Sequence, residues 1–259
     1  MFGIGGPLYD WFKSYLLNRR QRVTIKNACS AWEPVKAGVP QGSVLGPLLF
    51  LIHINDIVDD IESNMKLFAD DVSLFITIDK NEIESSAQIN RDLERMKTWA
   101  QSWLVSFNPE KSKSLYITLK PNVYPSALYF DNHQLESEES HKHLGLTFNN
   151  NLTWKHHIDD IYLKANKKVS LLSKLKHLLD RQTLQIMYTS FVRPSLEYGN
   201  VIWDNCSEME SDRLENIQRR AARILTGGII RTPSSLLYEE SGLEPLAKRR
   251  ERNIVLLIK

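Results

Sequence analysis

Cysteine is scarce: the 259-residue chain holds two, Cys29 and Cys206, far apart and without partner-like spacing. This argues against a disulfide framework and against a zinc site, and suits a reducing, intracellular compartment. Charge of one sign is lacking as well. With 33 Lys and Arg against 31 Asp and Glu, the formal net charge is +2. No global attraction for nucleic acid exists, so any basic surface must come from uneven distribution. Long apolar runs are missing too. The most apolar stretch, residues 44–54, is too short to span a bilayer, holds Pro47 and runs into Asp56, Asp59 and Asp60, which argues against a membrane segment or membrane partner. The sequence carries no signal peptide, internal repeat or low-complexity tract.

What is present is a hydrophobic content of 42%, enough for a substantial core in one domain with a smaller one appended. The charge is uneven: residues 213–259 carry ten Lys or Arg against five Glu, leaving the rest slightly acidic. Leu8, Trp11, Phe12, Tyr15 and Leu16 recur at helical spacing and predict an amphipathic helix over residues 7–18. QRVTIK and AWEPVK predict a β-hairpin turning at NACS, and AGVPQGSVLGPLLF predicts a tight turn feeding a buried helix. MKLFA and VSLFITI flank Asp70 and Asp71 and predict a second hairpin with the pair at its tip. A helix over residues 82–104 follows, with Ile89, Leu93, Met96, Ala100 and Trp103 on one face. KSLYITL, ALYF and HKHLGLTF predict further strands, the last two separated by the polar DNHQLESEESH. Beyond residue 150 the texture turns helical, over residues 154–179, 181–192 and 208–225, which predicts a second domain. Its exposed faces are expected to carry Lys164, Lys167, Lys168, Lys174 and Lys176, with Arg219, Arg220 and Arg223 along another.

An Asp-Asp pair at a loop tip is ordinarily a solvated turn. Here the apolar flanks set the turn at the edge of a core, where adjacent like charges repel unless a cation intervenes. Carboxylate oxygens pointing into one cleft suit Mg²⁺, which takes one or two protein carboxylates plus substrate phosphates. Two-metal phosphoryl transfer uses that arrangement. AGVPQGSVLGPLLF has two readings. In one, Gly42, Ser43 and Pro47 form a turn and helix cap. In the other, Gly38 and Gly42 let backbone approach a ligand, and Gln41 offers donor and acceptor to a base or sugar. Spacing leaves both open.

Four motifs in order, GVPQGSVLGPLLFLIHINDI, LFADDVSLF, FNPEKSKSLYI and HLGLTF, resemble the palm of a reverse transcriptase encoded by a non-LTR (LINE-type) retrotransposon, of the jockey-like and CR1-like kind. LTWKHHIDDIYLKANKKVSLLSKLK, FVRPSLEYGNVIWDN and LENIQRRAARILTG resemble the region after the palm, so the resemblance covers nearly the whole chain. It implies an α+β fold: a partial right-hand polymerase palm over residues 1–150, an antiparallel sheet with packed helices, then an all-helical thumb-like region over 151–259. The implied activity is RNA-directed DNA synthesis, with Mg²⁺ as cofactor. The implied partners are an RNA template, a DNA primer paired to it as RNA–DNA hybrid, and deoxynucleoside triphosphates, in cytoplasm and nucleus.

Residue by residue, Phe68, Ala69, Asp70 and Asp71 match the aromatic-x-Asp-Asp box, with Asp70 the direct metal ligand and Asp71 assisting. Pro40, Gln41 and Gly42 match the segment lining the incoming nucleotide and templating base. Lys111 matches a lysine near the triphosphate, with Lys113 the nearby alternative and a solvated loop lysine the plain reading. His143, Leu144 and Gly145 match the start of the hairpin that grips the primer end. The basic helices after residue 150 then read as tracking hybrid phosphates. The resemblance also implies a third metal carboxylate on a strand before the region where this sequence starts; no strand with an embedded Asp precedes Gly3, and Asp10 lies on the first helix. Both ends read as cuts through a longer protein lacking fingers and endonuclease here, so the polypeptide alone is expected to be inactive. The alternatives are a non-catalytic binder of RNA–DNA hybrid and a pseudogene translation with no folded product.

Overall fold

The computed structural model describes residues 4–78, 82–120 and 126–258. They form two compact units, one of residues 1–110 with 126–135 and the other of residues 111–125 with 136–259. The fold is α+β, as expected.

In the first unit, α1 (Gly6–Leu16) places Pro7 in its first turn, where the missing N–H costs nothing. Next comes the hairpin of β1 (Arg20–Gln21), β2 (Thr24–Ile25), β3 (Ala28–Cys29) and β4 (Glu33–Pro34), with β1 on β4 and β2 on β3. Its turn is Lys26-Asn27 rather than NACS, because Ala28 and Cys29 pair with Ile25 and Thr24 and Lys26 takes the positive φ of 53° that a two-residue loop needs. Helix α2 (Leu45–Ile54) runs into a 3₁₀ turn, Asn55–Val58. The second hairpin pairs β5 (Asn64–Phe68) with β6 (Asp71–Phe75). Helix α3 (Glu82–Trp103) then buries Ile89, Leu93 and Met96 against Ile54, Ile57, Phe130 and Leu135. Ala100 is buried as the face requires, whereas Trp103, in the last turn, stays half exposed and meets His53 edge-on at 5.2 Å. Strands β8 (Tyr129–Phe130) and β9 (His133–Gln134) close against α3: Asn90 Nδ2 donates to the Ala127 carbonyl at 3.3 Å and its Oδ1 accepts the Tyr129 N–H at 2.8 Å. The segment expected to be a polar loop therefore holds β9 and the buried Leu135, and in the second unit β10 (Glu136–Glu138).

The second unit begins with β7 (Lys113–Leu115), which lies parallel to β10, where the resemblance implies antiparallel pairing. The expected strand at 141–148 is a hairpin, β11 (Ser140–His143) with β12 (Leu146–Asn149). Then come α4 (Lys155–Leu175), α5 (Arg181–Met187), a π-helical turn Tyr188–Val192, α6 (Arg193–Glu197), α7 (Glu208–Thr226), α8 (Ser234–Ser241) and α9 (Leu246–Ile258). The helix expected over 181–192 changes register because Pro194 has no N–H for the carbonyl four residues earlier. One core joins these helices, with Ile158, Ile161, Ala165 and Val169 of α4 facing Leu214, Ile217 and Ala221 of α7. Ser207 and Glu210 cap α7 reciprocally. Within the core Glu215 accepts the Leu246 N–H at 2.9 Å, and Gln218 accepts the Tyr188 hydroxyl proton at 2.7 Å. Burial, which disfavours the phenolate, pushes Tyr188 and Tyr238 well above the usual phenol range. Among the described residues no helix is long and apolar enough to cross a membrane.

Candidate active site

The β5–β6 hairpin carries the Asp pair. Its register sets Phe68 opposite Asp71, so the two-residue turn is Ala69-Asp70 and Asp71 is the first residue of β6 rather than part of the tip. Ala69 takes φ 53° and Asp70 does not share the positive sign, the pattern of a II′-type hairpin. Met65, Leu67, Val72 and Leu74 pack on the first unit's core, which anchors the ladder while Phe68, Ala69, Asp70 and Asp71 stand exposed at its end. Among the described residues no cation pairs with either carboxylate, and no cluster of three or more metal-ligating side chains occurs. Two uncompensated hard oxygen donors on adjacent residues fit one divalent ion that completes its shell with water and phosphate; they do not make a closed cage.

The base of this hairpin is held by a residue the sequence reading passed over. Asp92, on α3 and fully buried, accepts the Ser63 N–H at 2.8 Å, the Glu62 N–H at 3.1 Å and an Arg95 guanidinium N–H at 2.8 Å. Burial pushes its carboxyl up, but these hydrogen bonds outweigh that and hold it below the usual carboxylate range. Arg95 also binds Glu62 at 2.6 Å. Asn64, where β5 starts, follows directly on this clamp. A buried acid in a largely polar stretch of helix gives no sequence signal beyond its place between Arg91 and Leu93.

Pro40, Gln41 and Gly42 form the turn before α2, Gly42 with φ 78°. Ser43 Oγ donates to the Pro40 carbonyl at 2.7 Å and accepts the Gly46 N–H at 2.9 Å, as the capping reading expects. Gly46 is the residue this turn cannot exchange: a Cβ there would lie 2.6 Å from the Pro40 carbonyl oxygen. Gln41 and Gly42 are exposed, so the turn presents backbone and an amide to solvent.

Lys111 ends a 3₁₀ turn, Pro109–Lys111, and Lys113 pairs with Glu136, whose carboxylate holds the ammonium above its ordinary range. His143 ends β11, and Leu144-Gly145 is the turn to β12. Pro40 to Gly42 and Phe68 to Asp71 belong to the first unit, Lys111 and His143 to Gly145 to the second. Of the expected basic face, Lys164, Lys167, Lys174 and Lys176 are exposed, while Lys168 is spent inside the unit on the Phe191 carbonyl and Ser195 Oγ. The arginines of α7 partly knit helices together: Arg213 meets Asp159 at 2.7 Å and Arg220 meets Asn166. Trp154 and Trp203 are core.

A family model for reverse transcriptase (RNA-dependent DNA polymerase) matches residues 1–148, and the chain belongs to the reverse transcriptase family. The curated relatives it matches are RNA-directed DNA polymerases of transposons and mobile elements. It is 33% identical to the probable RNA-directed DNA polymerase from transposon X-element of Drosophila melanogaster, over 85% of this chain and 25% of that protein. It is 27% identical to the RNA-directed DNA polymerase from mobile element jockey of the same species, over 85% and 25%, and 26% identical to the probable RNA-directed DNA polymerase from transposon BS, over 95% and 28%. The chain thus spans about a quarter of the length of the curated relatives it matches. No solved structure matches it.

Proposed function

We propose that residues 1–150 are the palm of a non-LTR reverse transcriptase from the nucleotide-lining turn onward, and that residues 151–259 are its thumb-like helical region. The observation that carries this reading is the β5–β6 hairpin, which ends in two exposed, unpaired carboxylates on an anchored ladder. In the parent reaction the primer 3′-hydroxyl attacks the α-phosphorus of a deoxynucleoside triphosphate in line, opposite an RNA template, and pyrophosphate leaves. Mg²⁺, held by Asp70 with Asp71 assisting, would supply charge stabilisation at the phosphates. Pro40, Gln41 and Gly42 line the incoming nucleotide, Lys111 offsets charge developing on pyrophosphate, and His143, Leu144 and Gly145 hold the primer end. The exposed lysines of α4 and the turn after it follow the hybrid backbone.

The two carboxylates supply only part of the metal site that the resemblance implies, so the polypeptide by itself is expected to bind hybrid without polymerising. Two measurements test this. Anisotropy titration with an RNA–DNA hybrid should give affinity that falls with salt with a log–log slope of about −3.6, as for roughly four phosphates neutralised; salt-independent or absent binding refutes the thumb-like role. Primer extension on poly(rA)/oligo(dT) should give no product, and Mg²⁺-dependent product abolished by Asp70→Ala would overturn the inactivity.

A further inference from the structure

The turn that the primer-grip reading singles out is strained and held from outside. Leu144 has φ 46° and Gly145 φ 83°, both left-handed, the sign pattern of a type I′ hairpin loop. Glycine adopts that backbone freely, but a leucine there persists only when its surroundings fix it. Foremost among the surroundings is Tyr198, which follows α6. Its hydroxyl donates to the Leu144 carbonyl at 2.8 Å. Its ring lies so close to the turn that a Cβ on Gly145 would sit 2.9 Å from Cε1.

Tyr198 is itself anchored. Its backbone N–H donates to the Pro194 carbonyl at 3.1 Å, and its carbonyl accepts the indole N–H of Trp203 at 2.9 Å. Trp203 is fully buried in the second unit's core. The next residue, Gly199, packs equally closely on the first residue of β12: a Cβ there would lie 2.9 Å from Leu146 Cδ2. The motifs HLGL and EYG, more than fifty residues apart, thus interlock at one point. Yet Tyr198 is 58% exposed, far more than a tyrosine placed only to fill the core. One side of the phenol holds the turn and the rest faces solvent beside it.

We infer that Tyr198 is a positioning residue for the primer terminus: it sets the Leu144-Gly145 turn in the one backbone conformation in which that turn meets the 3′ end of the DNA strand in a hybrid. The inference rests on the primer-grip reading of His143 to Gly145 and adds a residue outside that hairpin. A positioning role differs from a structural one in what it affects. Loss of the hydroxyl should change recognition of a strand end while leaving recognition of continuous hybrid, and the melting of the unit, unchanged.

The full chain is titrated with two RNA–DNA hybrids of equal length, one with a recessed DNA 3′ end on an RNA overhang and one closed by a loop so that no end is offered. Wild type should prefer the recessed end. Tyr198→Phe, which keeps the ring, should lose roughly fivefold in that preference, the equivalent of one hydrogen bond. Its affinity for the closed hybrid should be unchanged and its melting temperature within about 2 °C of wild type. Gly145→Ala, which keeps the hydroxyl but pushes the ring away, should lose the preference as well. If wild type prefers the end and both variants keep that preference, Tyr198 has no positioning role and the primer-grip reading survives. If wild type shows no preference, the primer-grip reading fails and this inference with it.

Discussion

Removing the Asp92 carboxylate should unlatch the hairpin that carries Asp70 and Asp71. In Asp92→Ala the Ser63 N–H, in a residue 8% exposed, loses its 2.8 Å acceptor, and the Glu62 N–H loses its 3.1 Å one. The buried Ser63 donor left unpaired costs about 1–3 kcal/mol, and the Glu62 donor, in an exposed residue, adds about 0.5–1 kcal/mol. Arg95 adds little, because its side chain is 38% exposed and can turn to Glu62 or water. The expected loss is therefore about 2–4 kcal/mol, a large fraction of the stability of an ordinary domain. Asp92→Asn should lose less, since one oxygen still accepts while the amide faces a second donor. The sign with pH follows from the lowered carboxyl: stability is complete above the unfolded value near 3.8 and is lost as pH falls through the lower folded value. Urea titration read by tryptophan fluorescence, with Trp99 reporting on α3, measures the difference. A loss below about 0.5 kcal/mol for Asp92→Ala, the size expected of an exposed ion pair, would refute the clamp.

Gly46→Ala should destabilise the first unit by about 1–3 kcal/mol through overpacking, because the added methyl meets the Pro40 carbonyl oxygen at 2.6 Å; hydrogen exchange should rise over residues 40–46, and unchanged exchange would contradict the packing. His157, buried under β12, accepts the Thr147 N–H at 3.3 Å, and its imidazolium is disfavoured first by burial, then by Lys164 and Lys142, against the attraction of Asp160. The unfolded chain therefore takes up the proton first, so the second unit should keep its stability above about pH 6.5 and lose it as pH falls below that. His157→Asn should remove this slope in thermal melts; a slope that persists would assign it to another group.

Local pattern made much of the fold readable. The β5–β6 hairpin lies within twelve consecutive residues, and α3, α4 and α7 repeat apolar residues at helical spacing. Turn register was less readable: Ala69 and Lys26 adopt positive φ without being glycine or asparagine, so both loops begin one residue earlier than turn propensity suggests. Contacts set by distant chain segments were not readable at all. Asp92 reaches back to Glu62 and Ser63, Tyr198 to Leu144, and β7 pairs with β10 across the hairpin that joins the first unit. In each case a polar residue or short strand carries its meaning only through a partner elsewhere. The candidate residues Asp70, Asp71 and the PQG turn are picked out by the resemblance, and the chemistry of an Asp pair between apolar flanks points to the same pair.

Direct titration of the purified chain with Mn²⁺, read by the electron paramagnetic resonance of the free ion, asks whether Asp70 and Asp71 form a divalent-cation site. One weak site is expected, with a dissociation constant on the order of a millimolar as for a site with few protein ligands, lost in Asp70→Ala and weakened in Asp71→Ala while both variants melt like wild type. Mn²⁺ binding of unchanged strength in Asp70→Ala would contradict it.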